Sequence, residues 1–189
     1  MRHLTFVLLW CCSAAFAQSP QRAPVIPAAA DDSMTLFNRA LGVECAFCHL
    51  DKDWKDATKP QWAIARDMGR MVQALNGDQL ANSTGITCVT CHGGHNKPSR
   101  LPVDAWQAIA EKWPAGLGED QKLTMSVYSA SLGVGCDHCH DPADWKSKAR
   151  PAYAAAVRMA AMFDVFPKYM PAGARTQCYM CHKGSKRPG

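Results

Sequence analysis

The chain has 189 residues, 48% hydrophobic and 20% charged, with a formal net charge of +5. Its basic residues are scattered rather than clustered, which argues against a nucleic-acid surface. No apolar run is long enough to cross a bilayer.

Met1-Arg2-His3, an apolar run from Leu4 to Trp10 and then Ala15-Phe16-Ala17 read as a secretory signal peptide, residues 1–17, cut after Ala17. A lipoprotein signal on Cys11 or Cys12 is the rival reading, but Trp10 stands where such a signal takes a small residue. Cleavage removes His3, Cys11 and Cys12, and it leaves eight cysteines. Residues 18–30 carry three prolines and read as a flexible arm. Asp31, Asp32 and Ser33 cap a helix over Met34 to Leu41, which Gly42 stops.

Cys45-Ala46-Phe47-Cys48-His49 follows. It is the first of four pentapeptides; the others are Cys88-Val89-Thr90-Cys91-His92, Cys136-Asp137-His138-Cys139-His140 and Cys178-Tyr179-Met180-Cys181-His182. This Cys-x-x-Cys-His pattern is the attachment signature of a c-type haem. Two thiols about one turn apart meet the two vinyl groups on one porphyrin edge and become thioethers. The histidine that follows lies under the iron. The eight remaining cysteines therefore predict four covalently bound haem c groups, with His49, His92, His140 and His182 as proximal iron ligands. Structural zinc, thioredoxin-like pairs or disulfides would each leave the four histidines unexplained. With so little protein per haem, the porphyrins must supply much of the apolar core, and the haem-free chain is expected to fold poorly.

Between the motifs, residues 51–58 are polar and turn-like, and Pro60 opens a helix that reaches Asn76 and stops at Gly77. Its apolar positions Ile64, Met68, Met71, Val72 and Leu75 have helical spacing. A loop with glycine and proline leads from the second motif to Pro102. Asp104 to Trp113, with Trp106, Ile109 and Trp113 on one side and Pro114 at the end, is a short helix inside a connector, residues 103–118. Glu119 to Leu132 is a helix stopped by Gly133.

The pattern then repeats. Cys45, Asp53-Trp54-Lys55, Pro60, Met68 and Met71 recur 91 residues later as Cys136, Asp144-Trp145-Lys146, Pro151, Met159 and Met162. Cys88 recurs 90 later as Cys178. No segment alternates like a good strand. The predicted fold is mostly α with extensive loops, built from two duplicated dihaem units of helix–haem–helix–haem form, residues 31–102 and 119–189.

Four irons need four further ligands. Outside the leader and the motif ends only His95 and His138 remain, so the chain alone excludes four bis-histidine haems. Methionine is the other common axial ligand. Met34 and Met125 each stand 11 residues before a motif, and Met68 and Met159 stand 20 and 19 before the next. The expected sixth ligands are Met34, Met68, Met125 and Met159 in haem order. Spacing alone does not separate Met68 from Met71, or Met159 from Met162, which share a helix face; Met170 is a further candidate. His95 is expected to cap a loop or contact a propionate, His138 to point outward, and Trp54 and Trp145 to pack on a haem edge.

Leu41-Gly42-Val43-Glu44 before the first motif, Ala65-Arg66-Asp67-Met68, Thr84-Gly85-Ile86-Thr87 before the second, and the Gly94 to Pro98 tail resemble the tetrahaem cytochrome c subunit of the photosynthetic reaction centre and its shorter relatives. The resemblance implies two dihaem halves related by a pseudo-twofold axis, with helix-borne methionines on most irons. The methionine of the Ala-Arg-x-Met stretch is one of these ligands, which favours Met68 and, by repeat, Met159. Two departures stand out. The chain is much shorter, and residues 76–84 lack the histidine that in the family reaches another haem. The function implied is electron transport, without a catalytic residue, between exported or membrane-bound redox partners in the periplasm or beyond, with the oligomeric state left open. The alternatives are a multihaem redox enzyme with one open iron, or a filament subunit whose arm reaches a neighbour.

Overall fold

The computed structural model describes residues 32–188 except 52, 82, 84 and 114–117. The expected leader, the arm, Asp31 and Pro114 lie outside the described residues. Seven α-helices run through them: α1 (Asp32–Leu41), α2 (Pro60–Gly77), α3 (Cys88–His92), α4 (Val103–Ala110), α5 (Glu119–Leu132), α6 (Pro151–Ala161) and α7 (Tyr179–His182). The first and third motifs instead open on 3-10 turns, Cys45–Phe47 and Cys136–His138. Among the described residues there is no strand, only the isolated bridges Leu50 to Asp53 and Asp141 to Asp144.

Local chemistry explains most boundaries. Pro60 and Pro151 open α2 and α6 at a position where no amide hydrogen is needed. Gly42 and Gly133 both have φ +62°, a left-handed conformation that ends α1 and α5. A Cβ at Gly42 would overlap the carbonyl oxygen of Gly94, and one at Gly133 would overlap that of Gly184. These glycines let the tail after each even-numbered motif return to the helix end. There the Gly94 amide donates to Ala40 O and the Gly184 amide to Ser131 O, both at 2.9 Å. α4 begins one residue before its expected start and ends three before Trp113. Trp113 Nε1 donates to Ser126 Oγ at 2.7 Å and ties the connector to α5.

The core is small. Met71, Leu75, Leu80 and Met162 form a buried cluster, with Met68, Ile86, Met159, Val165, Phe166, Tyr169 and Met170 packed around it. It joins the C-terminal part of α2 to the segment after α6. That segment is not helical like its counterpart: α6 gives way to 3-10 turns at Met162–Asp164 and Phe166–Lys168. Pro167 keeps a regular helix from resuming beyond the break. Its ring would clash with the carbonyl four residues back, at Phe163, and it has no amide hydrogen to continue the ladder.

Candidate haem-attachment sites

The odd-numbered motifs are held alike. His49 N donates to Cys45 O and His140 N to Cys136 O, both at 3.0 Å, so each histidine follows directly on its thiol turn. A cation from the start of the next helix grips each turn: Lys59 Nζ donates to Ala46 O, and Arg150 donates to Asp137 O at 2.6 Å. Sequence reasoning misses this pair. Its signal is slight, a basic residue just before Pro60 and just before Pro151.

The even-numbered motifs lie on α3 and α7. Thr87 starts α3 with a capping box, in which Thr87 N donates to Thr90 Oγ1 at 3.0 Å and the Thr87 side chain accepts from the Thr90 amide. Three of the four motif histidines have Nδ1 committed to a backbone carbonyl: His92 to His95 O at 2.9 Å, His182 to Ser185 O at 3.0 Å and His140 to Trp145 O at 3.2 Å. A ring that donates from Nδ1 keeps a bare Nε2, the tautomer an iron ligand needs. His49 Nδ1 is buried with no protein partner. Burial pushes the His92 imidazole below its usual range, with the His95 carbonyl opposing and the Lys183 cation adding to the effect. His95 thus serves through its backbone carbonyl. Trp54 lies edge-on to His49 at 5.7 Å between ring centroids, and Trp145 is tilted against His140 at 6.2 Å.

Two apolar cavities adjoin the second pair of motifs. One, of about 230 Å³, is lined by Met125, Tyr128, Cys136, Cys139, His140 and Tyr153 among others. The other, of about 160 Å³, is lined by Tyr128, His138, Met159, Cys178, His182 and Lys186 among others. Tyr128 and Cys139 line both. His138 is solvent-exposed as expected, yet it also borders the fourth motif's cavity. Met71 and Met162 are buried in the protein core, 8% and 9% exposed, while Met68 and Met159 lie at its edge. Met34 is 43% exposed.

Burial raises the thiols of Cys48, Cys88, Cys139 and Cys178 above their usual range. Among the described residues no group of three or more His, Cys, Asp or Glu is arranged to hold a metal ion. Cys91 and Cys181 are joined as a disulfide, with 4.2 Å between their Cα atoms. These are two of the sulfurs that the motif reading assigns to thioethers, one in the second motif and one in the fourth. Elsewhere the donor set fits haem c: cysteines in pairs, three histidines whose Nδ1 faces a backbone carbonyl, and apolar space that a methionine also borders.

Thiol pairs about one turn apart, each followed at once by such a histidine, define the c-type cytochromes, whose cofactor is covalently bound haem c. The family described as photosynthetic reaction centre cytochrome C subunit matches residues 33–134, and the chain belongs to it. Among relatives, the photosynthetic reaction center cytochrome c subunit of Thermochromatium tepidum is 24% identical over 76% of this chain and 52% of its own length. That of Rubrivivax gelatinosus is 25% identical over 76% of this chain and 58% of its own. Cytochrome c-554 of Chloroflexus aurantiacus is 34% identical over 33% of this chain and 16% of its own. The chain spans little more than half the length of the reaction-centre subunits that match most of it. No described helix is long and apolar enough to cross a membrane.

Proposed function

We propose that this chain is a four-haem electron carrier made of two dihaem units, residues 31–102 and 119–189, joined by residues 103–118. Cys45 and Cys48, Cys88 and Cys91, Cys136 and Cys139, and Cys178 and Cys181 hold the groups as thioethers. His49, His92, His140 and His182 are the proximal ligands, and Met34, Met68, Met125 and Met159 the sixth ligands. When bound, haem c supplies a one-electron iron couple. The chain's own residues fix the ligands, set their tautomers and keep water from the apolar side.

The observation that carries this reading is the 230 Å³ cavity, whose wall contains Met125 together with Cys136, Cys139 and His140. The fourth motif's cavity is bordered by Met159 and His182 in the same way, whereas Met162 is buried in the core. By repeat, buried Met71 supports Met68 as the ligand. Met34 rests on its equivalence to Met125. Cys91 and Cys181, which lie against each other, carry thioethers to the second and the fourth haem. Their contact brings the second and fourth motifs side by side, so the two units meet at those sites. The relatives are named as reaction-centre subunits; by that likeness the partners here are redox proteins at a membrane, reached from the periplasmic side to which residues 1–17 would direct the chain.

Intact mass and a visible spectrum of the reduced protein, with and without carbon monoxide, test the proposal. Four covalent haems and an unchanged spectrum are expected. Two haems per chain would overturn the fourfold reading. A carbon monoxide shift in about a quarter of the Soret absorbance would show one open iron, remove Met159 as a ligand and favour a redox enzyme.

A further inference from the structure

Two stretches of the chain hold no acidic residue. One lies between Asp78 and Asp104 and carries Lys97 and Arg100; the other lies beyond Asp164 and carries Lys168, Arg175, Lys183, Lys186 and Arg187. Of the chain's 21 basic residues these stretches hold seven, which leaves 14 against all 16 acidic residues elsewhere. The net positive charge therefore resides in these two stretches. Far apart in sequence, they meet in the fold. The Leu101 amide donates to Gln177 Oε1 at 3.2 Å, which brings Arg100 to the segment of Arg175. Lys183 Nζ donates to Thr90 O at 3.4 Å, and Cys91 lies against Cys181. Six of the seven cations are exposed and Lys183 is half-buried. Among the described residues none of the seven joins an ion pair. Two apolar side chains stand out in the same stretches, Val89 at 49% exposed and Val103 at 60%. The helices there, α3 and α7, have five and four residues, too few to offer a lipid surface an apolar stripe.

We infer that this basic face, built on the second and fourth motifs, is the docking site for an acidic one-electron redox protein. The inference rests on the electron-carrier reading. One electron passes between the partner's centre and a haem iron, and no proton or group moves with it. Unpaired cations gathered on one face steer an acidic partner to it and raise the rate of encounter, an effect that salt removes.

The test follows, by stopped flow, one electron from a reduced plant-type [2Fe–2S] ferredoxin, an acidic protein, to the oxidised holoprotein. Arg100→Glu with Arg175→Glu should lower the second-order rate constant at low salt roughly tenfold or more. The difference should vanish near 1 M salt, where screening acts within about 3 Å. Lys146→Glu with Lys148→Glu reverses two exposed cations after the third motif and changes the net charge equally. It should lower the rate less than about threefold. Both double variants should accept electrons from hexaammineruthenium(II), a small cation, at least as fast as the wild type. Equal losses in the two double variants, or a wild-type rate indifferent to salt, would overturn the inference. So would a haem missing by mass from the Arg100→Glu, Arg175→Glu protein, since those cations would then be holding propionates. Binding of phosphatidylglycerol vesicles that this variant loses, with its ferredoxin rate unchanged, would make the face a lipid surface instead. Wild-type protein that accepts electrons from neither reductant would sink the electron-carrier reading, and the docking site with it.

Discussion

The segments that follow the first and third motifs begin alike and end differently. Each starts with a cation that grips the motif turn and a proline that opens a helix. α2 then continues for 18 residues, and Asn76 near its end brackets the chain ahead of the second motif. Its Nδ2 donates to Ile86 O at 2.9 Å, and its Oδ1 accepts from Ile86 N at 2.7 Å. α6 lasts 11 residues and breaks into 3-10 turns. From there Met162, Val165, Phe166, Tyr169 and Met170 reach the core that α2 offers. What touches a motif is shared between the regions. What reaches the shared core differs: a continuous helix from one region and 3-10 turns from the other.

The likeness of the two regions breaks most completely at Gly42 and Gly133. Alanine at either puts a Cβ onto a carbonyl oxygen and strains the left-handed backbone. Each change should cost about 3 kcal/mol or more, read as a drop in the denaturant midpoint of the holoprotein. Equal losses would show that both closures matter alike; a loss at one only would show that they do not. Asn76→Ala addresses the difference. Two hydrogen bonds of about 1 kcal/mol each should be lost, lowering the midpoint while leaving spectra from the third and fourth sites unchanged. Pro167→Ala is the smallest step. It should let α6 extend, seen as a gain in far-ultraviolet helix signal, with stability changed by less than about 1 kcal/mol because a freer unfolded chain offsets the gain in helix.

Much of this was legible beforehand, residue by residue. α5 runs from Glu119 to Leu132 as its pattern predicts, since Gly133 is an unambiguous stop. The opening of α2 at Pro60 and the helix before the first motif also follow from local signals. The repeat puts Pro151 where Pro60 opens α2, but it does not carry the break of α6 into 3-10 turns at Met162. Lys59 and Arg150 carried no legible role because a side chain's direction is set by the fold around it. Met68 and Met71 share a helix face, so only the arrival of residues 162–170 shows which of them the core buries. The meeting of Cys91 and Cys181 spans 90 residues and leaves no local trace at all.

The return of Gly94 to Ala40 has a consequence for the order of assembly. Chains emerge N-terminus first, so the first half can seal on its own backbone before Gly133 or Gly184 has been made.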